Sequence, residues 1–248
     1  MKRTPYQGVT NIIRFNPGMF ITAGLLILAG VVALSLTAGW LQISISLALA
    51  GAVISLSISL IASHWIYDKS EIYTLPSLKN CDPKNHENWL TINAGFDEIT
   101  PTLKTRFPDI NLRILDFYDP EKHTESSIAR ARNAYPPHPE TETITSNSIP
   151  AETSSIQKII AFFSLHEIRN HEERVTTFND LRRTLTKNGE LHLTEHLRDL
   201  PNLVAYNFGA LHFHTRNAWE KTFDESNFAI KSATKTSPFV TTFVLIKK

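Results

Sequence analysis

Two long apolar runs without a charged side chain constrain this 248-residue sequence more than any other feature. The first extends from Gly18 to Leu36 and the second from Leu41 to Ile66, and neither contains Asp, Glu, Lys or Arg. Each is close to the length of about 20 residues that a helix needs to cross the hydrocarbon core of a bilayer. We therefore expect two transmembrane helices, at about residues 18–36 and 41–66.

The connection between these runs, residues 37–40, is so short that the two helices are expected to form an antiparallel hairpin. Lys2, Arg3 and Arg14 precede the hairpin and Lys69 follows it, so the positive-inside rule places both of its ends in the cytoplasm. A cleaved signal peptide is disfavoured because a long polar lead precedes the first run and a second run follows it. Two buried helices of a soluble protein are the remaining alternative.

Net charge and cysteine content give no support for nucleic-acid binding, disulfides or a cysteine metal cluster. The formal net charge is +1 at pH 7, so charge provides no argument for binding nucleic acid. Cys81 is the only cysteine, so neither an internal disulfide nor a cysteine metal cluster is expected. The domains predicted from composition are a membrane anchor over residues 1–69, a linker over 70–88 and a domain over 89–248.

Residues 89–189 alternate between apolar runs of strand length and amphipathic helical patterns, which predicts a doubly wound α/β domain. Within residues 159–199 a strand, a helix and a second strand follow one another, and Gly189 is expected to end the helix. His166 and Glu167 follow the first of these strands, and Glu195 and His196 end the second. Ligands bind outside the carboxyl ends of strands in such sheets, so these side chains are candidate site residues.

A second set of motifs lies upstream, where residues 90–100 read LTINAGFDEIT and Asp116 ends the next predicted strand. The order of these motifs from about residue 88 onward resembles the class I S-adenosylmethionine-dependent methyltransferases, whose first loop often reads LDIGAGFGEIT. Asn93 and Asp97 replace two of the family's glycines, and Thr91 replaces its acidic residue. Because Asn tolerates positive φ better than most residues, we expect Asn93 to keep the tight turn.

This resemblance implies a Rossmann-like fold with a mostly parallel seven-stranded sheet and S-adenosylmethionine as the cofactor. It implies that Asp116 accepts hydrogen bonds from the ribose hydroxyls and that the loop after the third strand lies near the adenine. Residues 185–191, LTKNGEL, resemble the family's turn into strand five. The residues expected at the cofactor are Asn93, Gly95, Phe96, Asp116, Asn147 and Ser148.

Methyl transfer to a phenol or enol requires a base, and histidine is the side chain that titrates near neutral pH. The candidate catalytic residues are His166, Glu167, His196 and His212, and strand alternation lets either Glu195 or His196 face the site. No metal is expected, because residues 166–170 read HEIRN and lack the second histidine of H-E-x-x-H. His192 and His196 would be about 13 Å apart on a strand, which is too far for both to bind one metal ion.

These features together predict a membrane-anchored methyltransferase with a cytoplasmic catalytic domain. An anchor raises effective concentration only for a partner confined to the same membrane, which favours a lipophilic acceptor such as a phenol, a quinone precursor or a lipid-like molecule. Residues 206–213 are expected to cover this substrate. The alternative is a membrane-bound pseudoenzyme or interaction module, which the altered glycine loop favours. A nicotinamide-dependent oxidoreductase is disfavoured because the first loop lacks the required glycines.

Overall fold

The computed structural model of the protein describes residues 4–84 and 86–248. Three helices come first: α1 (Gln7–Phe15), α2 (Pro17–Leu36) and α3 (Gly39–His64). Lys2 and Arg3, on which the predicted orientation partly depends, lie outside the described residues.

Helices α2 and α3 form an apolar hairpin. Among the described residues, these two helices are long and apolar enough to cross a membrane, as judged by length and composition. Many of their apolar side chains are exposed, and Leu25 and Leu26 are 62% and 67% exposed. At Gly30 an added Cβ would lie 2.6 Å from a methyl carbon of Leu49, so the absence of a side chain lets the two helices approach closely.

The described part of the chain contains one seven-stranded sheet with the order β3-β2-β1-β4-β5-β7-β6. Strand β7 is antiparallel to both of its neighbours, whereas the pairs among β1 to β5 are parallel. The doubly wound, mostly parallel sheet expected from the sequence is therefore confirmed. The strands are β1 (Asn88–Asn93), β2 (Asn111–Asp116), β3 (Thr141–Thr143), β4 (Ile156–Phe162), β5 (Leu185–His196), β6 (Phe228–Ser237) and β7 (Val240–Lys247).

Helices α4 (Thr100–Arg106), α5 (Ser126–Ala134), α6 (His171–Thr184), α7 (Leu200–Tyr206) and α8 (Arg216–Glu225) connect these strands. At the start of α6 the Asn170 side chain accepts a hydrogen bond from the Glu173 N–H at 2.9 Å and so caps the helix. The prediction that Gly189 ends this helix is wrong. Helix α6 ends at Thr184, and Gly189 lies inside β5, because pairing of Leu185 with Ile156 of β4 extends that strand.

The segment expected to be a linker packs against the α/β domain. It contains a π-helical turn (Trp65–Lys69) and two short 3-10 helices (Glu71–Thr74 and Pro76–Leu78). Ile72, Leu75 and Leu78 are buried in one cluster with Trp89 of β1. Burial of these apolar side chains fixes the end of the hairpin to the sheet, since apolar contact area stabilises the contact.

Helix α1 is held between the hairpin and the α/β domain. The Asp68 carboxylate accepts hydrogen bonds from the N–H groups of Gly8 at 2.6 Å and Val9 at 3.1 Å, which places a negative charge at the amino end of α1. In the middle of α1, the Asn11 side chain accepts a hydrogen bond from the Tyr135 hydroxyl at 3.0 Å. These contacts place α1 beside the carboxyl edge of the sheet.

Candidate active site

A cavity of about 650 Å³ lies at the carboxyl edge of the sheet. From the sheet side it is lined by Ala94 after β1, by residues following β4 and by His196 at the end of β5. From the opposite side, Met19 in the first turn of α2 and Ser59 near the end of α3 reach it. The cavity is therefore lined jointly by the α/β domain and by the apolar helices.

A strained turn after β4 directs side chains into this cavity. Phe163 has φ 49, a left-handed conformation that is unusual for an aromatic residue. The Ser164 hydroxyl holds the turn by donating a hydrogen bond to the Ile92 carbonyl at 2.8 Å. A short 3-10 helix (Leu165–Glu167) follows, and it presents His166 and Glu167 to the cavity.

His166 is bound tightly to Glu195, whose side chain is fully buried. The carboxylate of Glu195 contacts His166 Nδ1 at 2.6 Å and accepts the backbone N–H of the same residue at 3.2 Å. Burial by itself lowers the pKa of His166, but the charge of Glu195 and hydrogen bonds to Glu167 and Glu195 outweigh it and raise the pKa to about 10.

Glu167 connects His166 to His212. Its Oε1 lies 3.2 Å from His166 Nε2 and 3.0 Å from His212 Nε2. Burial alone would raise the pKa of Glu167, yet the hydrogen bonds to the two histidines hold it well below its usual range. His212 Nδ1 also contacts Glu125 Oε1 at 2.5 Å. Burial opposes a charge on His212, but these two glutamates raise its pKa.

His196 lies in a different, aromatic part of the same cavity. Its ring stacks between Phe163 at 4.6 Å and Phe213 at 4.8 Å. The Phe239 carbonyl accepts from Nδ1 at 3.0 Å, so Nε2 is the acceptor for the Tyr67 hydroxyl at 2.8 Å. Burial lowers the pKa of His196 to about 4, so this imidazole is neutral at pH 7.

The structure thus brings together three of the four residues expected from the sequence to be catalytic. His166, Glu167 and His212 form one cluster, and His196 lines the same cavity beside it. Glu125 was not expected there, and nothing in its local sequence identifies it, because only the fold brings it to His212. Residues 206–213 contribute Tyr206, Phe208 and Phe213 to the lining.

The first loop differs from expectation at one position. Asn93 is the last residue of β1, pairs with Asp116 across the sheet, and donates from its side chain to the Thr91 hydroxyl at 3.2 Å. The left-handed turn lies instead at Gly95, with φ +90, where an added Cβ would lie 2.8 Å from the Tyr118 ring. The prediction that Asn93 makes the tight turn is wrong, because strand pairing keeps it extended.

Asp116 lies beside this glycine, at the end of β2. Its Oδ1 accepts the N–H groups of Gly95 at 2.8 Å and Tyr118 at 2.9 Å, and its Oδ2 pairs with the Arg132 guanidinium. Asn147 and Ser148 are exposed and lie outside the 650 Å³ cavity, whereas Phe96 lines it. The sequence therefore identified the acidic residue at the loop but not its pairing with Arg132.

No protein-family model and no curated protein matches the sequence. Among solved structures, the chain is similar to a SAM-dependent methyltransferase from Aquifex aeolicus, with 12% identity, a TM-score of 0.52 and coverage of 73% of this chain and 94% of that one. A protein from Pyrococcus horikoshii OT3 is similar with 13% identity, a TM-score of 0.51 and coverage of 72% and 89%.

The CMeT domain of the citrinin polyketide synthase is 19% identical with a TM-score of 0.51. The match covers 80% of this chain but only 56% of that one, so the chain spans little more than half of its length. These likenesses, together with the strand order, show that the chain has the fold of the class I S-adenosylmethionine-dependent methyltransferases.

Proposed function

We propose that the protein is a membrane-anchored, S-adenosylmethionine-dependent methyltransferase that acts on a lipophilic small molecule. The observation that carries this proposal is the composition of the cavity wall. Acid and base side chains from the sheet face one part of the cavity, while Met19 and Ser59 of the apolar helices face another. An acceptor dissolved in the bilayer would reach the polar side chains without crossing water.

The residues around Gly95 support S-adenosylmethionine as the cofactor. Gly95 forms a turn in which an added Cβ would meet the Tyr118 ring, and the buried Asp116 carboxylate lies directly beside it. In this proposal Asp116 holds the ribose, Asn93 and Phe96 flank the cofactor, and the Asn147 and Ser148 loop lies toward the adenine. The cofactor supplies an electrophilic methyl group. Binding requires Arg132 to leave Asp116 Oδ2.

An acceptor hydroxyl has to lose its proton during methyl transfer, and the cavity offers two kinds of histidine for this purpose. The raised pKa of His166 keeps its imidazole protonated near neutral pH, so His166 cannot accept a proton from the acceptor. His196 is neutral at the same pH, and its Nε2 becomes available when the acceptor hydroxyl takes the place of the Tyr67 hydroxyl. Its pKa of about 4 makes it a weak base, so the proton passes to Nε2 only as the methyl group is transferred to the oxygen. We assign His196 as the base and the cluster of His166, Glu167 and His212 as the polar end where the acceptor oxygen lies.

A membrane-bound pseudoenzyme is the second candidate function. The ion pair between Arg132 and Asp116 favours it, because the guanidinium occupies the carboxylate oxygen that the ribose would need. In that case the cavity would bind a lipophilic ligand without methylating it.

A labelling experiment distinguishes these functions. The full-length protein in detergent is incubated with S-adenosylmethionine that carries a deuterated methyl group. A lipid extract of the membranes from the cells that produce the protein supplies the acceptor. The enzyme proposal predicts lipid-soluble products whose mass increases by one deuterated methyl group. At a cofactor concentration below saturation, their yield falls when Asp116 is replaced with Asn. Failure to bind the cofactor at millimolar concentration would favour the pseudoenzyme.

The proposed membrane topology has its own test. In a Cys81→Ser background, Ala38→Cys places a thiol between α2 and α3, and Asn188→Cys places one on the surface of the α/β domain. In intact cells, a membrane-impermeant maleimide is expected to label Ala38→Cys, whereas Asn188→Cys reacts only after permeabilisation. Labelling of Asn188→Cys alone in intact cells would place the catalytic domain outside the cytoplasm, and labelling of both positions would show that the hairpin does not cross the membrane. Release of the protein by alkaline carbonate would contradict membrane insertion.

A further inference from the structure

The His166, Glu167 and His212 cluster has a geometry that the proposed methyl transfer does not require. Each residue directs one ligand atom to within 4.8 Å of the other two. Glu167 Oε1 lies 3.2 Å from His166 Nε2 and 3.0 Å from His212 Nε2. For metal bonds of about 2.0 to 2.2 Å, neighbouring ligand atoms lie roughly 3 Å apart, so these separations match the edges of a coordination shell.

Both histidines are also oriented as metal ligands usually are. In known metal sites the ring nitrogen that does not bind the metal donates to a carboxylate or carbonyl, which fixes the tautomer and the ring orientation. Here His166 Nδ1 contacts Glu195 at 2.6 Å, and His212 Nδ1 contacts Glu125 at 2.5 Å. His166 Nε2 points at Glu167. His212 Nε2 faces Glu167 and also contacts the Arg169 guanidinium at 2.5 Å, so metal binding requires that guanidinium to withdraw from His212.

The net charge of the side chains around the cluster favours binding of a divalent cation. Glu125, Glu167 and Glu195 supply three negative charges, and Arg169, at 3.4 Å from Glu125 and 3.6 Å from Glu167, supplies one positive charge. Two negative charges remain when both histidines are neutral. A divalent cation would balance them, and binding at the cluster would displace the protons that otherwise do so.

We propose that His166 Nε2, Glu167 Oε1 and His212 Nε2 form a binding site for a divalent transition metal ion that faces the cavity. Two imidazoles and one carboxylate suit Zn²⁺, Co²⁺ or Fe²⁺, whereas Mg²⁺ prefers oxygen ligands alone. All three residues line the cavity, so the remaining coordination positions are open to a ligand from that side. Glu195 and Glu125 are positioning residues, each of which holds one histidine. If the proposed methyl transfer is correct, the ion would bind the acceptor oxygen.

The test measures metal binding in the absence of cofactor and acceptor, so its result does not depend on the proposed function. The full-length protein, carrying an affinity tag without histidine, is purified in detergent, treated with chelator and titrated with Zn²⁺ by calorimetry. Bound metal is then counted by mass spectrometry. We expect one equivalent that excess Mg²⁺ does not displace. When Co²⁺ is bound instead, the visible absorption spectrum should show the d–d bands of an ion coordinated by nitrogen and oxygen atoms.

Variants assign the site to the cluster. Glu167→Gln and His212→Gln are expected to weaken Zn²⁺ binding at least tenfold, and Glu125→Gln should weaken it by about 10-fold through loss of the support for His212. His171→Gln is the matched control, because His171 also pairs with a glutamate, Glu225 at 2.7 Å, and is expected to bind metal as the wild type does. Circular dichroism checks that each variant is folded.

Two outcomes would overturn the proposal. One is a wild-type protein that takes up neither Zn²⁺ nor Co²⁺, which would mean that the cluster is an ion-paired network only. The other is a folded Glu167→Gln or His212→Gln variant that binds Zn²⁺ as tightly as the His171→Gln control, which would place the metal elsewhere.

Discussion

Replacing Asp116 with Asn is expected to weaken S-adenosylmethionine binding by about 10- to 100-fold, because a hydrogen bond to a charged group contributes about 1.5 to 3 kcal/mol. The amide keeps an oxygen for the N–H groups of Gly95 and Tyr118, so the first loop should hold its conformation. The carboxylate oxygen proposed to bind the ribose is lost. Calorimetry with the full-length protein in detergent measures the affinity.

Replacing Arg132 with Met is expected to change the affinity in the opposite direction. The guanidinium is paired with Asp116 Oδ2 and has to withdraw before the ribose binds, so its removal should tighten binding by about 2- to 5-fold. Arg216→Met is the control, since Arg216 pairs with Glu220 on the surface of α8.

The two substitutions at this ion pair are informative together. Weaker binding in both variants would mean that Arg132 contacts the cofactor directly rather than competing with it. Unchanged binding in Asp116→Asn would contradict the assignment of Asp116 to the ribose. If the wild-type protein shows no measurable affinity and the Arg132→Met variant does, the result would support the pseudoenzyme.

The second large effect is expected at Glu195. Replacing it with Ala removes the buried carboxylate that holds both the ring and the backbone N–H of His166. Removing one partner of a buried ion pair typically costs about 3 to 5 kcal/mol. For a chain of this size such a loss lowers Tm by about 6 to 20 °C.

Two further variants show whether charge or packing is responsible. Glu195→Gln keeps the side-chain volume and an acceptor oxygen, so we expect a smaller loss of about 1 to 3 kcal/mol. Glu220→Ala removes an exposed glutamate from the surface pair with Arg216 and should leave Tm within about 2 °C of the wild type. If the Tm of Glu195→Ala equals that of the Glu220→Ala control, the pairing of Glu195 with His166 does not stabilise the fold.

Most of the architecture was predictable because local patterns encode it. The alternation of apolar strands and amphipathic helices predicted the parallel part of the sheet. The two wrong predictions concern turns. Asn93 lies within a strand because pairing with Asp116 outweighs its local preference for a turn. Gly189 lies inside β5 at a register shift, between the paired residues Leu185 and Glu190.

The candidate site was only partly predictable, for a related reason. Strand ends identified His166, Glu167 and His196, because side chains at the carboxyl edge of a parallel sheet converge on one region. The partners of these residues come from distant positions. His212 lies 45 residues beyond Glu167, and Tyr67, which binds His196, lies 129 residues before it.

The sequence by itself therefore determined the two apolar helices, the doubly wound α/β domain and the acidic residue after β2, because hydrophobic periodicity and strand length are local properties. Only the tertiary structure decided which charges meet. It paired Asp116 with Arg132, lined one cavity with residues of both the α/β domain and the apolar helices, and brought two histidines to one glutamate. Spacing along the chain excludes a metal motif within a few residues, but it carries no information on side chains that separate loops bring together.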